Sequence, residues 1–321
     1  MTRAESAGLV GLLVLLGAGW GITQPLAKLA VSTGHAALGL VVWQLAISGV
    51  LCGALLKLTG RGLPLTRPAL GLYLAVALVG TILPNSASYE AARHLPSGLI
   101  SILLSTIPML AFPIALALGL DRFRPRRLAG LGCGLAGVLL IVGPEASLPD
   151  PAMLAWVPIA LIAPAFYAFE GNFLARWGRP EVDPVQLLCG ASIVGVAIAL
   201  PVALATGRTV AFPASSDWSL AETALVGSSV VHCIVYASYF WMIGRAGPVF
   251  SAQVSYLVTG FGVLWAKLLL GESYSAWVWG AMGLMFVGLF LVQPRPKLAA
   301  VLPQDGTLDS AAPQLQDGPR P

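Results

Sequence analysis

The feature that most constrains this chain is a succession of ten apolar runs, each long enough to cross a bilayer. A hydrocarbon core about 30 Å thick needs roughly 20 predominantly apolar residues per helix. Runs of that order, bounded by charges, Pro and Gly, occupy approximately residues 7–31, 36–58, 69–92, 96–119, 126–143, 153–176, 184–206, 219–243, 247–270 and 274–293. Composition agrees: of 321 residues 57% are hydrophobic and only 10% charged, with a mean hydropathy of +0.83. Soluble chains carry about 25% charged residues, so a water-facing surface cannot be built over a domain of this size. A soluble enzyme, a nucleic-acid binder and a secreted disulfide scaffold are excluded. The pI near 9.0 reflects a net charge of only +4, and the bases sit in short loops rather than in a patch. The expected fold is an all-α membrane protein of ten transmembrane helices in the lipid bilayer.

The run from Ala7 extends to about Val31 without a convincing small-residue cleavage site, so it is expected to be a retained helix rather than a signal peptide. Cys52, Cys133, Cys189 and Cys233 all lie inside apolar runs and form no CxxC pair. They are expected to be small apolar fillers rather than disulfide or metal ligands. Residues 294–321, rich in Pro, Gln, Asp and Gly, cannot bury an apolar face and are expected to be a disordered tail.

Orientation follows from Lys and Arg, which are retained in cytoplasmic loops. With the N-terminus inside, cytoplasmic segments hold 14 of the 18 basic residues, among them Arg61, Arg67 and the cluster Arg122, Arg124, Arg126 and Arg127. The opposite face keeps Lys28, Arg93, Arg208 and Lys267, so both termini are expected in the cytoplasm.

A period near 150 residues is also present. Arg93 and Pro96 fall on Arg245 and Pro248 at an offset of 152, and Asp121, Gly132 and Gly137 fall on Glu272, Gly283 and Gly288 at 151. Leu26-Ala27-Lys28 likewise meets Leu174-Ala175-Arg176. The expected organisation is a first five-helix repeat over 1–146, a second over 147–293, and the tail. Five is odd, so the second repeat enters the membrane from the opposite side and the pair is inverted. Inverted halves can exchange conformations around one central site, the architecture of alternating access.

Polar groups inside hydrocarbon are expensive and mark candidate sites. Glu170 in the sixth run and His232 near the centre of the eighth are the ionisable ones, and are proton-coupling candidates. Each also has a bland reading: a paired or protonated carboxyl stabilising helix packing, and a hydrogen-bonded packing histidine. Around them a small-molecule site needs hydrogen-bonding groups among aromatic walls. The candidates are Trp20, Thr23 and Gln24 in the first run; Asn85, Ser88 and Tyr89 in the third; and Tyr167 and Asn172 in the sixth. Tyr236 and Tyr239 in the eighth run and Gln253 and Tyr256 in the ninth complete the set. Spacings of three, four or seven residues align these groups on helix faces, and five polar-aromatic stripes from both halves are expected to converge at the midplane. Glu90 with Arg93, Lys28 and Lys267 sit near helix ends, where they can pair or snorkel. Trp156, Trp218, Trp277 and Trp279 are expected to be interfacial anchors. Pro25, Pro84, Pro108 and Pro164 are candidate hinges. Gly130, Gly134, Gly137, Gly280, Gly283 and Gly288 offer small faces for close helix contact.

The stretch Trp20-Gly21-Ile22-Thr23-Gln24-Pro25-Leu26-Ala27-Lys28 resembles the Trp-Gly…Lys motif of the EamA branch of the drug/metabolite transporter (DMT) superfamily. Leu99–Pro108 with Gly130–Val142, and Ser255–Val258 with Leu270-Gly271-Glu272 and Gly280–Val292, are similar to that family's paired signatures. The resemblance spans about residues 7–293. It departs at Gly119-Leu120-Asp121, where the first copy of Leu-Gly-Glu would stand, and at Trp43-Gln44, where relatives usually carry a base. The resemblance implies a transporter in the bacterial cytoplasmic (inner) membrane exporting amino-acid-like or related small polar or amphipathic metabolites, with no cofactor, metal or nucleic-acid partner. Two other classes stay open on the residues alone: a membrane scaffold or receptor, and a membrane-embedded enzyme, for which no HExxH, paired aspartate or Gly-x-Ser-x-Gly pattern exists.

Overall fold

The architecture is taken from a computed structural model that describes residues 3–144, 148–179, 181–212, 217–246 and 253–292. The expected tail, the 146/147 repeat boundary, Pro248 and the first turns of the ninth expected helix lie outside these residues. Among the described residues every regular element is helical. In chain order they are α1 (Arg3–Ala30), α2 (Ala37–Leu58) and a long helix, Arg67–His94, made of α3 (Arg67–Ala75), a π-helical segment (Val76–Ile82) and α4 (Leu83–His94). Then come α5 (Ser97–Leu104), α6 (Ile107–Ala117), α7 (Pro125–Val142), a 3-10 turn (Pro151–Trp156) and α8 (Val157–Trp177). The last four are α9 (Pro184–Ala205), α10 (Leu220–Ala246), α11 (Val254–Leu270) and α12 (Ala276–Val292).

Among the described residues eight helical stretches are long and apolar enough to cross a membrane, α5 with α6 and the 3-10 turn with α8 each counting as one. Helices α11 and α12 are equally apolar but shorter, at 17 described residues each. Leu15, Val50, Leu58, Leu135, Ile234, Leu268 and Phe290 face outward with most of their side chains uncovered, a distribution that suits lipid and not water.

The fourth expected helix is broken where one run was expected. Pro108 has no N–H to give to the Leu104 carbonyl, and the Ser105 and Thr106 hydroxyls donate to Ile102 O (2.6 Å) and Leu103 O (2.7 Å). The chain therefore ends α5 at Leu104 and restarts α6 at Ile107. Of the other expected hinges, Pro84 follows the π-helical segment, while α1 and α8 run on through Pro25 and Pro164.

Packing follows a repeated scheme. Helix α1 lies against α10 and α11, and α8 lies against the long helix 67–94 and against α5 and α6. Helix α2 packs on α9 and α10, α9 also packs on α3 and the π-helical segment, and α7 packs on α12. The tightest crossings are made by glycine. A methyl at Gly21 would stand 2.8 Å from Gly262 N, and one at Gly130 would stand 2.8 Å from Gly288 O, so backbones touch where side chains would hold them apart. Gly134 and Gly137 meet Met109 and Met285, but Gly283 has nothing within 4 Å among the described residues.

One end of the bundle is closed by partly buried polar contacts, most of them between segments far apart in sequence. Glu272 receives Ser97 N (2.7 Å), Ser97 Oγ (2.9 Å) and Gly98 N (3.1 Å), capping α5 from the start of the α11–α12 connection. Tyr274 Oη donates to the same carboxylate at 2.5 Å. Burial and that bond hold the Tyr274 phenol above the ordinary tyrosine range. At the same end His35 pairs with Glu222 (2.8 Å), Trp43 Nε1 donates to Val210 O (2.7 Å), and Lys28 donates to Arg93 O and Leu95 O. Arg93 donates to His35 O and pairs with Glu90. His94 stacks on Trp156 at 3.6 Å, and Lys267 lies over the Trp279 ring. The other end carries Arg61–Asp183 (3.5 Å), Gln186 donating to Gly62 O, and Arg127 paired with Asp121. Cys52, Cys189 and Cys233 share one apolar cluster with Leu56 and Leu188.

Candidate functional site

The long helix 67–94 explains where a site forms. Pro84 cannot donate to the Gly80 carbonyl, so the ordinary i→i−4 ladder fails there. The preceding amide, Leu83 N, reaches back five residues to Leu78 O, and the turn widens into the π-helical segment. Gly80 sits on that widened turn. A methyl built on it would overlap the Glu170 carboxyl of α8, so the carboxyl rests directly against helix backbone.

Around this contact lies a cavity of about 200 Å³. Its wall takes Trp20 from α1, Gln44 and Ser48 from α2, Gly80, Thr81 and Asn85 from the long helix, Tyr167 and Glu170 from α8, Ser192 from α9, and His232 and Tyr236 from α10. Helices α1–α4 precede the 146/147 position and α8–α10 follow it, so both halves of the chain contribute.

A hydrogen-bond chain stiffens one side. Tyr167 Oη donates to Asn85 Oδ1 (2.5 Å), Asn85 Nδ2 donates to Gln44 Oε1 (3.1 Å), and Tyr89 Oη donates to the same oxygen (3.0 Å). Gln44 thus has its acceptor used twice and its amide N–H pair to offer a ligand. The Trp20 ring meets Tyr239 edge-on at 5.1 Å, and the His232 and Tyr236 rings lie 5.9 Å apart. Ser192 Oγ is fully buried in the wall with no hydrogen-bond partner among the described residues, an exception to the rule that buried polar atoms are satisfied.

Of the residues singled out from sequence, Trp20, Asn85, Tyr167, Glu170, His232 and Tyr236 line this one cavity. Tyr89 and Tyr239 stand behind it, holding Gln44 and Trp20. The others lie elsewhere. Thr23 donates to Trp20 O and receives Gln24 Nε2 within α1, and Ser88 is half-buried on α4. Asn172 is turned to the far side of α8, where its amide donates to Ala111 O and Ala168 O. There it borders a second cavity with Arg127, Asp121 and Ser255. Gln253 precedes α11, and Tyr256 packs its ring on Phe286 at 5.9 Å. The five stripes therefore do not all point to one place.

Sequence reasoning passed over Gln44, Ser48, Gly80, Thr81 and Ser192 as site residues. Gln44 and Ser48 carried a usable signal: two polar groups at i, i+4 in an otherwise apolar helix. The signal for Gly80 was Pro84 four residues on.

Among characterised families, the EamA-like transporter family matches residues 8–143 and again 154–293. This chain belongs to that family of membrane transporters. The inner membrane transporter YedA of Escherichia coli strain K12 is 26% identical over 270 residues, covering 79% of this chain and 83% of its own length. A WAT1-related protein of Arabidopsis thaliana is 37% identical over 115 residues, 34% of this chain and 30% of that one. A crystal structure with 16% identity superposes with a TM-score of 0.59 over 90% of this chain and 96% of the other, a likeness of fold.

Proposed function

We propose that the protein is a secondary transporter that moves small polar or amphipathic metabolites across the bacterial cytoplasmic (inner) membrane by alternating access, in the direction of export. The observation that carries this reading is the cavity walled by polar groups from both halves, with the Glu170 carboxyl set against the π-helical turn at Gly80. Intramembrane ionisable groups facing a cavity are costly to fold and mark transport pathways.

In this reading the chain crosses the membrane ten times as two inverted five-helix repeats, 1–146 and 147–293, with α5–α6 forming one crossing and 294–321 a cytoplasmic tail. Support comes from the duplicated family match and from the packing scheme. The contacts of α1 with α10 and α11 are mirrored by those of α8 with the long helix and with α5–α6, and α7 meets its own counterpart α12. Both termini are cytoplasmic by the distribution of Lys and Arg. Glu170 is the proton-coupling group, with His232 as its partner. The substrate is bound by Trp20, Asn85, Tyr167 and Tyr236, and Gln44 and Ser192 join them.

The test uses purified protein in proteoliposomes loaded with a pooled metabolite extract. One chemical class leaves faster than from protein-free vesicles, as followed by mass spectrometry. Folded, inserted protein that speeds the exit of no compound overturns the transport reading.

A further inference from the structure

The charge inventory of the cavity narrows its ligand. Glu170 is its one carboxyl and His232 its one imidazole, and neither Lys nor Arg appears among the described residues of the wall. A ligand carboxylate or phosphate brought here meets a like charge in a low-dielectric site with no obligatory cation to offset it. The imidazole does not fill that role, because unlike a guanidinium it carries no fixed charge. An ammonium meets the opposite case: a carboxyl as a charge-assisted acceptor, and the Trp20 and Tyr236 rings as cation–π walls. Hydrogen-bonding capacity is left for a polar tail, from the Gln44 amide and from the fully buried Ser192 hydroxyl, which has no partner among the described residues. The cavity of about 200 Å³ limits the ligand to a small molecule.

Resting on the transport reading above, we infer that this cavity takes small organic amines lacking a carboxylate or phosphate, with the ammonium on Glu170. The amino-acid end of the substrate range is thereby disfavoured: an α-carboxylate meets a like charge whenever Glu170 is ionised, and no Lys or Arg among the described residues of the wall offsets it. Discrimination of this kind is built as much from the repulsion of the wrong ligand as from attraction of the right one.

Matched probes separate the charges. Tyramine, putrescine and agmatine each differ from tyrosine, ornithine and arginine by the carboxylate, and tyrosol differs from tyramine by the amine. Purified full-length protein in detergent is melted with each probe, and the same probes are followed in counterflow across proteoliposomes. The expected result is protection by at least one amine at a concentration at least about tenfold below its amino-acid parent, with counterflow of that amine and loss of the preference in Glu170→Gln. Tyrosine, ornithine or arginine protecting as well as its amine, tyrosol protecting as well as tyramine, or no amine protecting at all overturns the inference. Protection by an amine without counterflow supports the ligand class and overturns the transport reading, so the two fail separately.

Discussion

The chemistry of the site comes down to Glu170 and the glycine it rests on. If Glu170 carries the coupling proton, Glu170→Gln removes the titrating group while keeping shape and hydrogen-bonding capacity. Transport driven by a proton gradient then falls to the level of empty vesicles, while exchange of a ligand that does not rely on Glu170 for binding persists; gradient-driven flux at the wild-type rate in the variant sinks proton coupling. Gly80→Ala tests the same contact from the other side. The added methyl collides with the end of a flexible side chain, so the carboxyl swings aside at less than the ~1–3 kcal/mol of an overpacked core. The expected outcome is a melting temperature close to wild type with transport strongly reduced. Glu170 stood out in the sequence because a carboxylate in an apolar run breaks composition. Gly80 did not, since a glycine in a membrane helix is commonplace and its meaning lies in a neighbour 90 residues away. Asn172 erred in the opposite direction: two residues from Glu170 it shares a polar stretch of sequence, but about 200° of helical rotation separates them and puts them on opposite sides of α8.

At the scale of elements, the α5 N-terminus depends on a carboxylate supplied by a distant segment. Glu272 receives two backbone amides and a hydroxyl there, and hydrogen bonds to charged groups contribute about 1.5–3 kcal/mol each when well formed. Glu272→Ala is expected to lower the melting temperature by several degrees and Glu272→Gln by less; an unchanged melting temperature in both removes the capping role. Tyr274 adds a pH signature. Its phenol is held protonated in the folded protein, so its contribution is complete below the unfolded tyrosine value of about 10 and is lost as pH rises beyond it. Tyr274→Phe should therefore show a shallower alkaline loss of stability than wild type. The long apolar runs made the helices legible, since length and hydropathy decide membrane insertion. The break at Ser105–Thr106 and the wide turn at 76–82 were not, because each needs local hydroxyl or carbonyl bonding around a proline, and Pro25 and Pro164 sit in helices that continue regardless.

For the whole molecule, the sequence made the class of fold and the duplication visible, because both depend on patterns spread over the chain. The cavity depended instead on which faces of seven segments meet, and hydropathy does not encode helix rotation. The inverted topology proposed above has a direct consequence that labelling reads. If the two repeats are inverted, the 118–124 connection and the 271–275 connection, which occupy equivalent places in them, lie on opposite sides of the membrane. In a variant freed of its native cysteines, Ser273→Cys reacts with an impermeant maleimide on intact spheroplasts, and Arg122→Cys reacts only after permeabilisation. Both reacting from the same side overturns the inversion.

The wide turn at Val76–Ile82 is also a phase shifter. One extra residue in a turn advances every later side chain by about 100° around the helix axis. The half before it, α3, is thereby aimed at α9, while the half after it, α4, is aimed at α8 and α2. Without that advance, Asn85 and Tyr89 would point away from Gln44 and Tyr167, and the partners that frame the cavity would never meet. The π-helical turn thus acts as an angular offset between two ends of one rod, and shortening the chain by a single residue there would misalign the site while leaving every helix intact.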